Sequence, residues 1–184
     1  MSHSIPTNSK GISILNDTPR IYVACLAAYN NGKLHGAWID ATQEPDAILE
    51  AVHTMLKASP EANAEEWAIH DYEGFHNLTL SEWEGFAEVH AYATFIEEHG
   101  HLGAEIYSHY GDLEEAQAAL NDRYAGCYSN LADFAQELTE ETTTIPQNLT
   151  YYIDYERMAR DVEMSGDILT VETDDGMVHI FWNH

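Results

Sequence analysis

"RIYVACLAAYNNGKLHGAWID", Arg20 to Asp40, decides how the first part of the chain folds. Two strand-like runs, Arg20–Tyr29 and Leu34–Asp40, flank the dipeptide Asn31-Gly32. Asn-Gly between such runs is a strong hairpin signal, because the tight turns that match strand twist need a positive φ. The spacing therefore predicts an antiparallel pair. "PDAILEAVHTMLK", Pro45–Lys57, follows as a helix with proline at its first position, where a missing N–H costs nothing. Ile48, Leu49, Val52, Met55 and Leu56 mark its apolar face. "EWAIHDY" reads as a third strand, so residues 19–80 form a β-hairpin-α-β unit.

Working outward, residues 1–18 read as a flexible polar tail with no secretory signal. Residues 81–121 read as a helical unit. Ser81 with Glu84 fits a capping box, and Phe86, Val89, His90, Ala93 and Ile96 recur at helical spacing. "HGHLG" interrupts the pattern, and two short helices separated by Gly111 follow. Residues 122–184 read as strand, helix, linker, helix and a closing hairpin. The strand is "YAGCYS", and the first helix, Asn130–Thr142, has Leu131, Phe134, Ala135 and Leu138 on one face. The second helix is "YIDYERMARDVEM", in which Arg157 and Arg160 are expected to pair with Asp154, Glu156 and Asp161 at i, i+3 and i+4 spacing. The closing hairpin joins "ILTVET" and "MVHIFW" through "DDG". The fold class is α+β.

The composition narrows the function. The 184 residues hold 32 acidic and 7 basic side chains, a formal net charge of −25. Binding to nucleic acid needs lysine and arginine to displace counterions from phosphate, so that class is excluded. Anionic membranes are disfavoured for the same reason. A basic partner is favoured, with fast, salt-sensitive encounter. No stretch approaches the roughly 18 apolar residues of a transmembrane helix. Cys25 and Cys127 read as buried free thiols in a reducing compartment, which places the protein in the cytoplasm.

The acid is also distributed in an unusual way. Between Lys57 and Arg123 there is no lysine or arginine. The segment holds Glu61, Glu65, Glu66, Asp71, Glu73, Glu82, Glu84, Glu88, Glu97, Glu98, Glu105, Asp112, Glu114, Glu115 and Asp122, of which all but Glu61 are candidate phosphate mimics. Ordinary surfaces intersperse both signs, because a one-sign field destabilises the compact state. Glu84 and Glu88 are expected on one helix face, roughly 5–6 Å apart at Cβ, of the same order as phosphate spacing. Duplex DNA carries one charge per ~1.7 Å of axis, so −25 corresponds to roughly 42 Å of duplex. Three readings compete on charge alone: a DNA mimic, a merely solubilising acidic surface, and an acidic adaptor for another basic protein such as a nucleoid protein.

Sites for chemistry are weakly supported. His70, Asp71 and Glu73, or Glu97, Glu98, His99 and His101, are metal-ligand types. No H-E-x-x-H, C-x-x-C or EF-hand spacing accompanies them, and no P-loop, nucleophile triad or dinucleotide motif is present. The histidines read as solvated groups that soften carboxylate repulsion. Trp38, Trp67, Trp83, Tyr72 and Phe75 could line a ligand groove, but the reading favours core and rim residues of thin domains. The sequence reading expects no catalytic residue, no metal and no cofactor.

Four segments together are specific: "IYVACLAAYNNGKLHGAWID", "EWAIHDYEGF", "SNLADFAQELTEET" and "YIDYERMARDVEMSGD". In this order, from about Arg20 onward, they resemble the ArdA antirestriction proteins carried by mobile genetic elements. The resemblance implies an elongated chain of three small units that forms homodimers and mimics bent B-form DNA. It implies occupation of the DNA groove of type I restriction–modification enzymes, at the methyltransferase core, with restriction blocked and modification often blocked too. The family's antirestriction motif falls on Cys127–Glu141 and is associated with the dimer interface as much as with the mimic surface. Cys127, Tyr128, Leu131, Phe134 and Leu138 are its candidate dimer or motif residues. Leu131, Phe134 and Leu138 also read as packing residues from their periodicity. Asp133, Glu137, Glu140 and Glu141 are its exposed acids and join the carboxylates above as phosphate mimics.

Overall fold

A computed structural model of the chain describes residues 18–183. Apart from Thr18, the tail expected over 1–18 lies outside the described residues. The described residues group into two units, one ending at Ser108 and the other beginning at His109. Each has a three-stranded antiparallel sheet.

In the first unit, β1 (Arg20–Cys25) lies between β2 (Gly36–Asp40) and β3 (Trp67–Glu73). Ile21 and Val23 point inward while Tyr22 lies on the other face, against Trp38 at 5.5 Å between ring centroids. The β1–β2 pairing agrees with the hairpin reading, with Ile21 opposite Ile39. The connection does not. The strand stops at Cys25, and α1 (Leu26–Asn30) follows. "LAA" combines good helix formers without a β-branch, so an apolar run that scans as strand coils instead. Gly32 closes the loop at φ 71°, and Lys33 N–H donates to Ala28 O. Helix α2 (Pro45–Lys57) packs on β1 and β2 through buried Ile48, Val52, Met55 and Leu56. Leu49, expected on that face, is 37% exposed.

The capping box at Ser81 does not start a helix. Ser81 N–H donates to Glu84 Oε2 at 3.1 Å, but Ser81 Oγ accepts from Trp83 N–H. The result is a turn, and α3 begins only at Phe86 and runs to Tyr110. Glu84 therefore precedes the helix, and the expected Glu84/Glu88 pair on one helix face does not form. Gly100, at φ 57° and ψ −143°, kinks α3 where "HGHLG" interrupts the periodicity. Val89, Ala93, Phe95, Ile96, Leu102, Ala104 and Ile106 are its buried residues among the apolar side chains.

In the second unit, α4 (Leu113–Ala118) passes through a π turn, Ala119–Arg123, into β4 (Tyr124–Tyr128). Asp112 caps α4 by accepting Glu115 N–H at 2.9 Å. Helix α5 (Leu131–Thr142) is capped by Asn130 and α6 (Tyr155–Ser165) by Asp154. A short 3₁₀ turn, Thr150–Tyr152, occupies the start of the segment expected to be helical from Tyr152. Arg157 and Arg160 form no ion pair among the described residues. Arg160 Nε donates instead to the Glu156 carbonyl at 3.3 Å. Strands β5 (Ile168–Glu172) and β6 (Val178–Trp182) form the predicted hairpin, and β4 pairs with β6. Phe134, Ile168 and Ile180 form the core, with Tyr128, Leu131, Leu138, Val162 and Trp182 packed around them. Burying a side chain of this size is worth about 1.5–3 kcal/mol.

Candidate functional surface

The carboxylates sit where local structure tolerates them. Glu88, Glu114, Glu115 and Asp133 occupy first turns of helices. There the unpaired N–H groups and the positive end of the helix dipole favour negative charge by about 0.3–1 kcal/mol each. This partly offsets the self-repulsion of a −25 chain. Asp112 serves as cap as well as surface acid.

Of the eighteen acids singled out in the sequence, Glu65, Glu66, Asp71, Glu73, Glu82, Glu88, Glu97, Glu98, Asp112, Glu114, Glu115, Asp122, Asp133, Glu140 and Glu141 are exposed. Glu84, Glu105 and Glu137 are half-buried. Glu137 was expected outside. Instead it lies beside Tyr128, whose hydroxyl pKa is raised by burial first, then by the nearby Glu137 and Glu141 charges.

Two of these acids pair with arginines, one 53 residues away in sequence and one 8 residues away. Arg20 and Glu73 are register partners across β1 and β3, and Arg20 Nε donates to Glu73 Oε2 at 2.8 Å. Arg123 Nη2 donates to Glu115 Oε2 at 2.7 Å. Each guanidinium also covers an aromatic ring: Arg20 over Trp38 at 4.7 Å and Arg123 over Tyr110 at 5.3 Å. Outside the eighteen, Lys33 pairs with Glu61. Exposed pairs of this kind contribute about 0–1 kcal/mol.

The histidines are more embedded than the solvated reading expected. His99 is largely buried, with Nε2 3.9 Å from Glu98, and its ring packs on Phe95. His101 Nε2 lies 3.3 Å from Glu105, one helical turn on. His70 is exposed and meets the edge of Tyr29. Among the described residues no group of three histidine, cysteine or acidic side chains converges to hold a metal ion.

In the motif segment, Phe134 is 3% exposed and belongs to its own unit's core, while Tyr128, Leu131 and Leu138 are half-buried around it. Cys127 is a half-buried free thiol rather than a fully buried one, and Cys25 is buried. The Cys127 Sγ lies 3.7 Å from His179 Nε2, and the Tyr124 hydroxyl lies 3.0 Å from His179 Nδ1. Burial pushes the Tyr124 hydroxyl up to about 12 and raises the Cys127 thiol, so both keep their protons. The Tyr124 hydroxyl and the Cys127 thiol thus flank the two ring nitrogens of a neutral His179. Burial holds the imidazole below its usual 6.5, with Asp175 opposing the shift.

That geometry carries a pH prediction. The unfolded chain protonates His179 more readily than the fold does. The stability it contributes is present above pH 6.5 and is lost as pH falls through the folded-state value below it. Urea unfolding at pH 7.5 and 5.5 should show a larger loss for the wild type than for His179→Gln. Equal losses would remove His179 as the cause.

Fold and surface together define a class: an acidic α+β protein, built on two three-stranded sheets, that keeps most of its carboxylates facing solvent. Among the described residues no helix is long and apolar enough to cross a membrane. The family model described as antirestriction protein (ArdA) matches residues 21–178, nearly the whole chain, and the chain belongs to that family. No curated protein sequence matches it.

Proposed function

We propose that the protein is a DNA mimic that occupies the DNA-binding groove of a type I restriction–modification enzyme, at its methyltransferase core. It blocks restriction and, with it, modification. The observation that carries this reading is the set of fifteen exposed carboxylates spread over helices, strands and loops, in a chain of net charge −25. A solubilising surface needs no such segregation of sign between Lys57 and Arg123. In the groove the carboxylates take the places of phosphates, and binding releases the counterions that both surfaces hold.

The same proposal makes the protein a cytoplasmic homodimer, carried by a mobile element, that works through three units, 19–80, 81–121 and 122–184. Within the motif, Tyr128, Leu131 and Leu138 retain surface to offer a second copy, since Phe134 is used in the core. The protein acts by stoichiometric occupation rather than turnover.

The test is titration of the purified protein into a type I methyltransferase core with labelled DNA bound, at two salt concentrations. The expected result is stoichiometric displacement that weakens steeply with salt. Displacement of DNA from a nucleoid protein but not from the methyltransferase would replace the reading with that of an acidic adaptor.

A further inference from the structure

The two cation–π contacts among the described residues share one composition. Arg20 lies on Trp38 and binds Glu73; Arg123 lies on Tyr110 and binds Glu115. In each, the guanidinium carbon lies over an aromatic ring and a guanidinium nitrogen donates to a carboxylate. A third site has the same parts without a cation among the described residues. Glu65, Glu66, Trp67 and Trp83 line a shallow cavity of about 360 Å³ in the first unit.

The walls of this cavity are held in place. Trp67 stacks on Phe86 at 4.5 Å between centroids and 19° between planes. The Glu66 carbonyl accepts Leu26 N–H at 3.0 Å, and the Glu82 carbonyl accepts Ile69 N–H at 2.9 Å, which ties one lining segment to the start of α1 and the other to β3. Trp83 N–H donates to Ser81 Oγ. Against this fixed backbone Trp83 leaves 64% of its surface to solvent, and Glu65 and Glu66 are both exposed. A large indole held in water on a rigid turn is an unspent apolar surface, and tryptophan is among the side chains that dominate binding energy at interfaces.

We propose that Trp83, Trp67, Glu65 and Glu66 form a receptor for one arginine side chain of the protein's basic partner. This rests on the functional reading above and deepens it. The charge decides the occupant: two carboxylates at the rim repel anions, and no lysine or arginine between Lys57 and Arg123 fills the site. The chemistry favours arginine over lysine. A guanidinium stacks flat on indole and offers its donors in a fork that matches a carboxylate, whereas an ammonium is a compact, strongly hydrated charge. DNA has no counterpart of such a pocket on its phosphate backbone. It gives the mimic a contact that does not depend on charge alone.

Hexa-arginine and hexa-lysine peptides, titrated into the isotope-labelled full chain, test the site without any enzyme. The indole N–H signals of Trp83 and Trp67 should move with hexa-arginine and respond several-fold more weakly to hexa-lysine. Trp83→Ala and Glu65→Gln/Glu66→Gln should weaken hexa-arginine binding several-fold. A Trp83 signal that stays put while the peptide binds elsewhere overturns the proposal. In displacement of DNA from the methyltransferase core, Trp83→Ala should need roughly tenfold more protein with an unchanged salt slope, because no charge is lost. Equal potency of Trp83→Ala and wild type would overturn the pocket's part in that complex. If wild type displaces no DNA while hexa-arginine still moves Trp83, the functional reading fails and the arginine receptor stands.

Discussion

Reversing Glu82, Glu88, Glu97 and Glu114 together to lysine is expected to weaken inhibition of a type I methyltransferase core by about a thousandfold or more, while each single change to alanine costs only a few-fold. All four side chains are exposed. A long-range field is collective, so a single rim charge alters mainly the encounter rate and its salt dependence. Four reversals instead place like charges against a basic groove. Such juxtaposition costs several kcal/mol, and each 1.4 kcal/mol is about tenfold in affinity. Fold stability should change little. Reversing Glu88 and Glu114 gives up the favourable placement of negative charge in helix first turns, while adding positive charge to a −25 chain relieves repulsion. The quadruple variant should therefore stay folded and melt close to wild type while failing to displace DNA. One single-alanine variant that abolishes inhibition unaided would contradict the mimic and point to a discrete site.

What the sequence made legible was what local chemistry controls. Gly32, Gly100 and Gly176 all have positive φ, and each marked a real break or turn. Asp175 in the closing turn accepts from Thr173 Oγ1 and Met177 N–H, which explains why "DDG" signals a hairpin and why this carboxylate's pKa is lowered. The misreadings share a cause. "LAAYN" and "SEWE" carry local patterns that two conformations satisfy, and only tertiary contacts choose between them. Lys33 N–H donates to the Ala28 carbonyl, which folds the segment after Cys25 back on α1, and Ile69 N–H donates to the Glu82 carbonyl, which holds the Ser81 segment as a turn beside the sheet.

The carboxylate surface was legible as composition and not as geometry. Charge counting found an uncompensated segment, but Glu73 and Arg20 are 53 residues apart and meet only because β1 and β3 pair. Arg123 ends the π turn between α4 and β4, and there it meets Glu115. The cavity beside Trp83 was legible only as a ligand groove that Trp67 and Trp83 could line. Its tryptophans fitted a rim pattern, and nothing in the spacing of Glu65, Glu66 and Trp83 says that a turn will bring them together. A tryptophan between two glutamates, in "EWE", is the signal that could have raised the question.

Phe134→Ala should destabilise the second unit by about 3–5 kcal/mol, the range for truncating a buried phenylalanine. The ring is 3% exposed, packs with Ile168 and Ile180, and makes aromatic contacts with Tyr128 at 5.4 Å and Trp182 at 5.8 Å. Its loss leaves a cavity under α5 and removes the anchor that holds α5 on the sheet. Against a typical domain stability of about 5–15 kcal/mol, this takes a large share. Hydrogen exchange at the β6 amides in urea reads the unit locally, and those amides should lose protection at lower denaturant than in wild type. Phe134→Leu, which keeps most of the volume, should lose less than half as much. Asp133, Glu140 and Glu141 ride on the same helix, so inhibition by Phe134→Ala should fall on warming and return on cooling. The four-lysine variant should fail at every temperature. A Phe134→Ala cost below about 1 kcal/mol would mean that α5 does not depend on this core. The motif's apolar residues would then be left with the proposed dimer contact alone.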